Sequence, residues 1–154
     1  MNVSYLLKVK YLLGLSHSKE IFDWAFQQVE KGNDSSELLE MLSLKEDDQA
    51  GIIESLSKIA NSQSIAKGEV KEYFYSLFID IFEKSMDMVV IEGLLLQFYS
   101  LVKDDIVFDD NEKLSLTIIE NDLSLRISNL PFQITENDII EFLRKRVVSQ
   151  STPK

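Results

Sequence analysis

Residues 69–84 read EVKEYFYSLFIDIFEK, and their apolar side chains recur at spacings of three and four without a break. The apolar set is Val70, Tyr73, Phe74, Leu77, Phe78, Ile81 and Phe82. Side chains three and four positions apart lie on one face of an α-helix, so the spacing predicts an amphipathic helix whose apolar face lies in a core. The charged residues of the stretch, such as Glu72 and Glu83, are left for the solvent-exposed surface.

The segment that follows this helix is predicted to be its main packing partner. Residues 87–102 are apolar nearly all round, as expected for the central helix of a small bundle. The run is interrupted by Glu92 and Gln97, and it falls short of the roughly 20 apolar residues that span a bilayer. We therefore expect a buried helix here, packed against Phe74, Leu77, Phe78 and Phe82.

The N-terminal half also has a helical pattern. Residues 4–13 and 20–31 predict two helices, the first stopped near Gly14 and the second by Gly32-Asn33, because glycine and asparagine tolerate the left-handed backbone of a helix end. Capping-box spacing at residues 34–37 and again at 43–46 predicts the starts of two further helices.

The pattern changes after residue 112. Leu114 to Ile118 alternates strictly between apolar and polar residues, and so does Leu123 to Ile127. Asn and Asp between the two runs tolerate turn conformations, so the sequence predicts a small antiparallel β-hairpin at 113–128. A two-stranded ribbon is not stable alone, and one of its faces must therefore lie on the helices.

The C-terminal part contains one misleading local match. Residues 125–132, followed by 134–139, resemble the first strand and first helix of an RNA-recognition motif. Too few residues follow for the rest of that domain, and its basic-aromatic motif is absent. We interpret the stretch as a strand, a Leu-Pro turn and a last helix capped by Thr135 and Asp138.

The elements together predict a mainly α protein, a compact helical bundle with one small antiparallel hairpin near 113–128. At 154 residues one domain is expected, and we assign it to residues 1–148, followed by a frayed tail at 149–154. Lys8 and Lys10 interrupt the apolar N-terminus, which argues against a signal peptide and favours a cytoplasmic location.

Composition excludes several kinds of chemistry. The chain has no cysteine, and its one histidine is His17, which we expect to be exposed or at a helix start. Thiolate sites are thereby excluded, and little material is left for a His-containing metal or catalytic site. Asp and Glu number 26 against 16 Lys and Arg, a net charge of −10, which works against binding a nucleic-acid backbone. We expect no cofactor, no metal, no nucleic acid and no membrane partner.

The densest acidic cluster lies in residues 104–112, with no basic residue among its members: Asp104, Asp105, Asp109, Asp110 and Glu112. An EF-hand is excluded because no glycine follows Gly93. A solvated loop, an irregular metal site and a contact surface for a basic partner all remain open. We take the last as the functional hypothesis, because like charges held so close together are relieved by an opposite-signed partner.

Residues 21–42 contain an Ile-x-x-Trp-Ala helix, a short polar break and a Leu-rich second helix. The residues are Ile21-Phe22-Asp23-Trp24-Ala25, then Val29-Glu30, then Leu38-Leu39 and Leu42. This order resembles the small acidic helical immunity-type proteins of bacterial toxin–immunity pairs. The resemblance implies a protein that binds a secreted toxin, and since its motif consists mostly of core positions, it transfers no functional residue.

These observations predict a non-catalytic protein-binding domain. The first reading is an immunity protein, or inhibitor, that neutralises a basic bacterial toxin. The alternative is an intracellular helical adaptor or regulatory module. An enzyme that uses scattered carboxylates is a third possibility, because active sites assemble in space rather than in sequence.

Overall fold

A computed structural model describes residues 2–131 and 134–151, with side chains described up to residue 147 in the last helix. Its regular structure within those residues is entirely helical. The helices are α1 (Val3–Leu12), α2 (Ser18–Glu30), α3 (Ser36–Leu42), α4 (Gln49–Asn61), α5 (Lys67–Ser85), α6 (Met88–Val102), α7 (Asp110–Ile127) and α8 (Glu136–Ser151).

The chain forms two compact units, Met1–Ala66 with α1–α4 and Lys67–Lys154 with α5–α8. A single domain over residues 1–148 stays a prediction. The predicted tail, residues 149–154, lies partly outside the described residues: α8 continues to Ser151, and residues 152–154 are not described.

In the first unit, α1 packs on α4, α2 on α3, and α3 on α4. The buried core of this unit contains Leu7, Ile21, Ala25, Leu38, Met41, Ile52, Leu56 and Ile59. Trp24 is partly buried against that core. Of the positions that carry the immunity-protein resemblance, Ile21, Ala25 and Leu38 are core positions, whereas Leu39 is 49% exposed.

Helix ends in the first unit follow the sequence closely, with one exception. Gly14 and Gly32 take positive φ angles of 74° and 94° immediately after α1 and α2, which confirms both predicted stops. Ser35 caps α3 by accepting a hydrogen bond from the backbone N–H of Leu38. The predicted start at 43–46 is wrong: Ser43 ends α3, and α4 begins at Gln49 with Asp48 as its cap.

In the second unit, α5 packs on both α6 and α8, and α6 packs on α7. Phe74, Phe78 and Phe82 are at most 2% exposed, and the ring centroid of Phe98 in α6 lies 4.8 Å from that of Phe74 and 5.7 Å from that of Phe78. The predicted burial of this face is confirmed for the three phenylalanines, and its contact with residues 87–102 is confirmed for Phe74 and Phe78. Leu77 is only partly buried.

The predicted β-hairpin at 113–128 is wrong, because these residues lie in the continuous helix α7 and its C-cap. The buried residues of α7 are Glu112, Leu116, Ile119 and Asp122, at the spacing of a helix face. Leu114 and Ile118, which produced the alternation, are exposed on another face. The pattern thus combined residues from two sides of one helix.

The strand predicted within residues 125–132 is wrong, because residues 125–127 are the end of α7; residue 132 lies outside the described residues. Asn129 has a φ of 55°, its N–H donates to the Arg126 carbonyl, and the N–H of Leu130 donates to the Leu125 carbonyl. These two bonds form a Schellman motif, which satisfies the last carbonyls of the helix. The predicted cap of α8 is confirmed: Thr135 and Asp138 each accept a hydrogen bond from the other's backbone N–H.

Candidate functional site

Residues 103–109 connect α6 to α7, and we call them the acidic loop. Its side chains alternate between the core and the solvent: Ile106 and Phe108 are 2% and 4% exposed, whereas Val107 between them is 72% exposed. Four of the predicted site residues, Asp104, Asp105, Asp109 and Asp110, are exposed around this valine in sequence. The loop therefore presents one apolar side chain flanked by carboxylates.

The acidic loop is fixed to the unit beneath it. The N–H groups of Asp105 and Ile106 both donate to the Val102 carbonyl at 2.9 Å, and Lys71 of α5 donates to the Val107 carbonyl at 3.1 Å. The Phe108 ring packs edge-on against Tyr99, with 5.0 Å between centroids. These contacts hold the backbone in place and leave the exposed side chains pointing outward.

Glu112, the fifth predicted site residue, differs from the other four in being buried, with a side chain that is only 3% exposed. Lys71 donates to Glu112 Oε1 at 2.9 Å, and the Tyr75 hydroxyl donates to Oε2 at 3.0 Å. Arg146 of α8 lies 3.8 Å from the same carboxylate. The negative charge of Glu112 is therefore compensated inside the second unit.

The pKa shifts of Tyr75 and Asp109 suit their contacts with Glu112: Tyr75 keeps its proton and Asp109 is ionised. Burial, followed by the adjacent Glu112 carboxylate, raises the pKa of Tyr75 well above its ordinary value, so the hydroxyl stays a donor. Asp109 caps α7 and forms a full capping box with Glu112. The hydrogen bond from the Glu112 backbone N–H holds the pKa of Asp109 below its usual value, so Asp109 is ionised at neutral pH.

A second buried polar cluster lies between α6 and α7. The Nε of Arg126 lies 2.8 Å from Glu92 Oε1 and 2.7 Å from Asp122 Oδ2, and both carboxylates are at most 3% exposed. The backbone of Ile134, just before α8, donates its N–H to Asp122 and accepts a hydrogen bond from Arg126. This cluster ties the approach to α8 to the side of α7.

The pKa values of the two acids in that cluster are shifted in opposite directions. Burial, together with the nearby Asp122 carboxylate, raises the pKa of Glu92 to about 8. Burial opposes ionisation of Asp122, but hydrogen bonds from Arg126 and from the Ile134 backbone outweigh it and lower the pKa of Asp122. We therefore assign the shared proton to Glu92 and the negative charge to Asp122.

A groove runs between α7 and α8, and we call it the α7–α8 groove. It consists of two cavities, of about 530 and 330 Å³, that share Ser115, Asp138 and Phe142 in their walls. The smaller cavity is bounded mostly by isoleucines, and the larger one by charged residues that include Glu141 and Lys145. The hairpin predicted at 113–128 gave no indication of this groove, because the groove requires residues 109–119 at the N-terminal end of α7.

A further cavity, of about 350 Å³, lies in the first unit, and its walls include Tyr11, Ser16 and His17. His17 is exposed at the N-cap position of α2 and makes no capping hydrogen bond with its side chain, which agrees with the expected exposed position. Ser16 donates to Glu20, and this bond, ahead of the opposing effect of burial, lowers the pKa of Glu20. The cavity offers no unpartnered buried polar group to a ligand among the described side chains.

Within residues 2–131 and 134–151, His, Asp and Glu side chains do not come together in a group of three or more that could hold a metal ion. The helices of that part of the chain also lack the combination of length and apolar character needed to cross a bilayer.

Comparison with known proteins finds no match for this chain among family models, curated proteins or solved structures.

Proposed function

We propose that this protein is a non-catalytic protein-binding domain that neutralises a basic bacterial toxin by stoichiometric binding. The observation that carries the proposal is the acidic loop, in which Val107 is 72% exposed and flanked by exposed carboxylates. An apolar centre surrounded by polar groups is the usual composition of a protein–protein contact.

The charge of the chain supports a basic partner. A net charge of −10 attracts a cationic protein over a distance of about a Debye length, and exposed rim charges mainly raise the association rate. Asp104, Asp105 and Asp110 are exposed and suited to this role. Asp109 and Glu112 contribute by fixing the start of α7, and Asp109 also adds an exposed charge.

The fixed backbone of the acidic loop supports high affinity. Lys71 anchors the Val107 carbonyl, and Ile106 and Phe108 lie in the core. A loop that is already ordered loses little conformational entropy when a partner binds it. Val107 can thus enter a pocket of the partner without reorganisation of its own backbone.

The proposal is tested with the C-terminal domain of any large secreted protein encoded immediately upstream of this chain. The domain is produced alone, its toxicity is measured with and without this protein, and association is followed at two salt concentrations. The loop variant carries Asp104→Asn, Asp105→Asn and Asp110→Asn. A control variant with the same change in net charge carries Asp80→Asn, Glu120→Gln and Glu136→Gln, all at exposed positions.

We expect the wild-type protein to abolish toxicity at a one-to-one ratio. The loop variant should associate about tenfold more slowly at low salt, with a weaker salt dependence, and the control variant should lose much less. Val107→Ala should weaken binding by about fivefold or more through faster dissociation. Equal slowing by both triple variants would show that only the net charge matters and would remove the loop from the interface.

The same experiment separates the alternative function. An upstream domain that is neither bound nor neutralised contradicts the toxin proposal. If the protein then binds a partner made by its own cell through the acidic loop, the adaptor reading replaces it.

A further inference from the structure

The α7–α8 groove has an apolar floor that is open on one side. Ile119, Ile139 and Phe142 are buried at its base, whereas Ile118 and Leu114 on α7 are 49% and 61% exposed at its edge. Within the second unit α8 packs on α5 and α7 packs on α6, which leaves this space between α7 and α8. Two large aliphatic side chains on one edge of a groove form an accessible apolar strip.

The charged part of the groove is predominantly acidic. Asp109, Asp138 and Glu141 lie in its wall together with Lys145 and Arg146. Arg146 is engaged within the unit, since its guanidinium lies 4.0 Å from the centre of the Phe142 ring and it pairs with Glu112 at 3.8 Å. Three wall carboxylates therefore stand against two cationic groups, Lys145 and Arg146, of which Arg146 is also held by Glu112 and Phe142.

Two carboxylates of this wall, Asp138 and Asp109, have lowered pKa values and are therefore ionised at neutral pH. A hydrogen bond from the Thr135 backbone N–H lowers the pKa of Asp138, and the capping bond described above does the same for Asp109. The wall carboxylates would repel an acidic partner and attract a cationic one.

We infer that the α7–α8 groove binds one amphipathic helix of a partner protein, with the helix's apolar stripe on the exposed Leu114 and Ile118 and its Lys or Arg flank beside Asp138 and Glu141. Helix-in-groove binding reads apolar anchors at helical spacing, which an apolar strip along α7 can provide. The groove extends from Asp109, the N-cap of α7, to Ile119, a rise of about 15 Å, which matches about ten residues of a bound helix.

This inference goes beyond the proposed function, because the groove and the acidic loop share only Asp109 and the bound helix need not belong to a toxin. The loop variant described above leaves the groove side chains unchanged. It should therefore keep its affinity for a helix within about threefold at physiological salt, because the three replaced carboxylates do not line the groove and salt screens exposed charges. The toxin-binding experiment and the helix-binding experiment can therefore each contradict one proposal without contradicting the other.

The test uses the full chain and a fluorescein-labelled peptide of about 14 residues, built from Leu and Lys so that the leucines form one helical face. One control peptide has the same composition in an order without an apolar face, and another has Glu in place of Lys. The groove variant is Ile118→Lys. Its matched control is Ile127→Lys, which alters an exposed isoleucine on the same helix outside the groove walls. Circular dichroism establishes that both variants stay folded.

We expect saturable binding of the amphipathic Leu–Lys peptide, about tenfold weaker for Ile118→Lys and within about twofold of wild type for Ile127→Lys. The double variant Asp138→Asn, Glu141→Gln, which removes two carboxylates of the groove wall, should weaken binding about threefold or more. NMR amide shifts caused by the peptide should map to residues 114–119 and 138–146.

Several results overturn the inference. The scrambled peptide binding equally well, or Ile118→Lys and Ile127→Lys losing equal affinity, would show that the peptide responds to charge alone. Tighter binding of the Leu–Glu peptide would reverse the assigned charge of the occupant. A protein that is dimeric, and becomes monomeric only in Ile118→Lys, would make the occupant a second copy of this chain.

Discussion

Replacing Lys71 by Met removes a charged group that joins α5 both to the acidic loop and to α7. Its Nζ donates to Glu112 Oε1 at 2.9 Å and to the Val107 carbonyl at 3.1 Å. The Nζ also lies 5.2 Å from the centre of the Phe108 ring, and Met keeps the length and apolar stem of the side chain beside that ring. The substitution therefore tests the charge and its hydrogen bonds rather than the volume.

The expected cost follows from the burial of the pair. The side chains of Lys71 and Glu112 are 13% and 3% exposed, and removing one partner of a buried pair costs about 3–5 kcal/mol. Glu112 keeps its hydrogen bond from Tyr75 and its neighbour Arg146, which places the effect near the lower limit. We expect the free energy of unfolding of the second unit to fall by about 3 kcal/mol.

The assay has to report on the second unit. Trp24 is the only tryptophan of the sequence and lies in the first unit, so its fluorescence does not follow this change directly. Hydrogen exchange of the α7 amides, measured under native conditions, gives the opening free energy where the effect is expected. A double-mutant cycle with Glu112→Gln should return a coupling of about 1–3 kcal/mol between the two side chains.

Lys113→Met is the control, because Lys113 is exposed on α7 and its loss should change stability by less than about 0.5 kcal/mol. If Lys71→Met costs no more than this control, Glu112 is not held by a buried charge pair. A coupling close to zero in the cycle would lead to the same conclusion.

The remaining predictions concern the core, a buried acid and a helix end. Phe78→Ala should lower the free energy of unfolding by about 3–5 kcal/mol in urea denaturation, since the ring is fully buried, and an unchanged midpoint would contradict that packing. For Glu92, whose pKa is about 8 in the folded protein, the stabilising contribution of the proton is complete below the ordinary value near 4.5 and is lost as the pH rises to about 8. The stability of wild type should accordingly fall relative to Glu92→Gln between about pH 5 and pH 8, and parallel pH profiles would refute the assignment of the proton. Asn129→Ala should cost about 1 kcal/mol because Asn129 has a φ of 55°, whereas Asn129→Gly should be tolerated; equal thermal midpoints for the two variants would show that this backbone angle is not strained.

Most helices could be predicted because their apolar residues alone repeat at helical spacing. The apolar face of Phe74, Phe78 and Phe82 is such a case. The stops at Gly14 and Gly32 could be predicted for another reason, because glycine readily adopts the positive φ angle of a helix end. Capping spacing was less reliable. The box at residues 135–138 was correct, whereas the one at 43–46 matched the end of a helix instead of its beginning.

Helix α7 was misread because polar residues occupy part of its buried face. Glu112 and Asp122 are buried beside Leu116 and Ile119, whereas Leu114 and Ile118 are exposed. A pattern of apolar residues cannot show this arrangement, because the partners that compensate Glu112 and Asp122 come from elsewhere in the fold. Two signals pointed the other way: Asp109 and Glu112 have capping-box spacing, and neither glycine nor proline occurs between Gly93 and Pro131.

The candidate site was predictable in part for the same reason. Exposure of Asp104, Asp105, Asp109 and Asp110 follows from their charge, and these residues are exposed in the structure. The buried position of Glu112 depends on Lys71 and Tyr75, about forty residues earlier in the chain, and local sequence gives no sign of that contact. Their role as a partner-binding surface stays a prediction.

In each unit the first helix packs against the last, α1 on α4 and α5 on α8. This arrangement sets an order of events during synthesis, because a ribosome releases the chain from its N-terminus at about 5–20 residues per second. The first unit can close once α4 has emerged. The aromatic face of α5 meets α6 soon after, but its contact with α8 has to wait until residues 136–151 are made. The second unit therefore passes through a stage of synthesis in which part of its core is uncovered, and chaperones and aggregation compete for it at that stage.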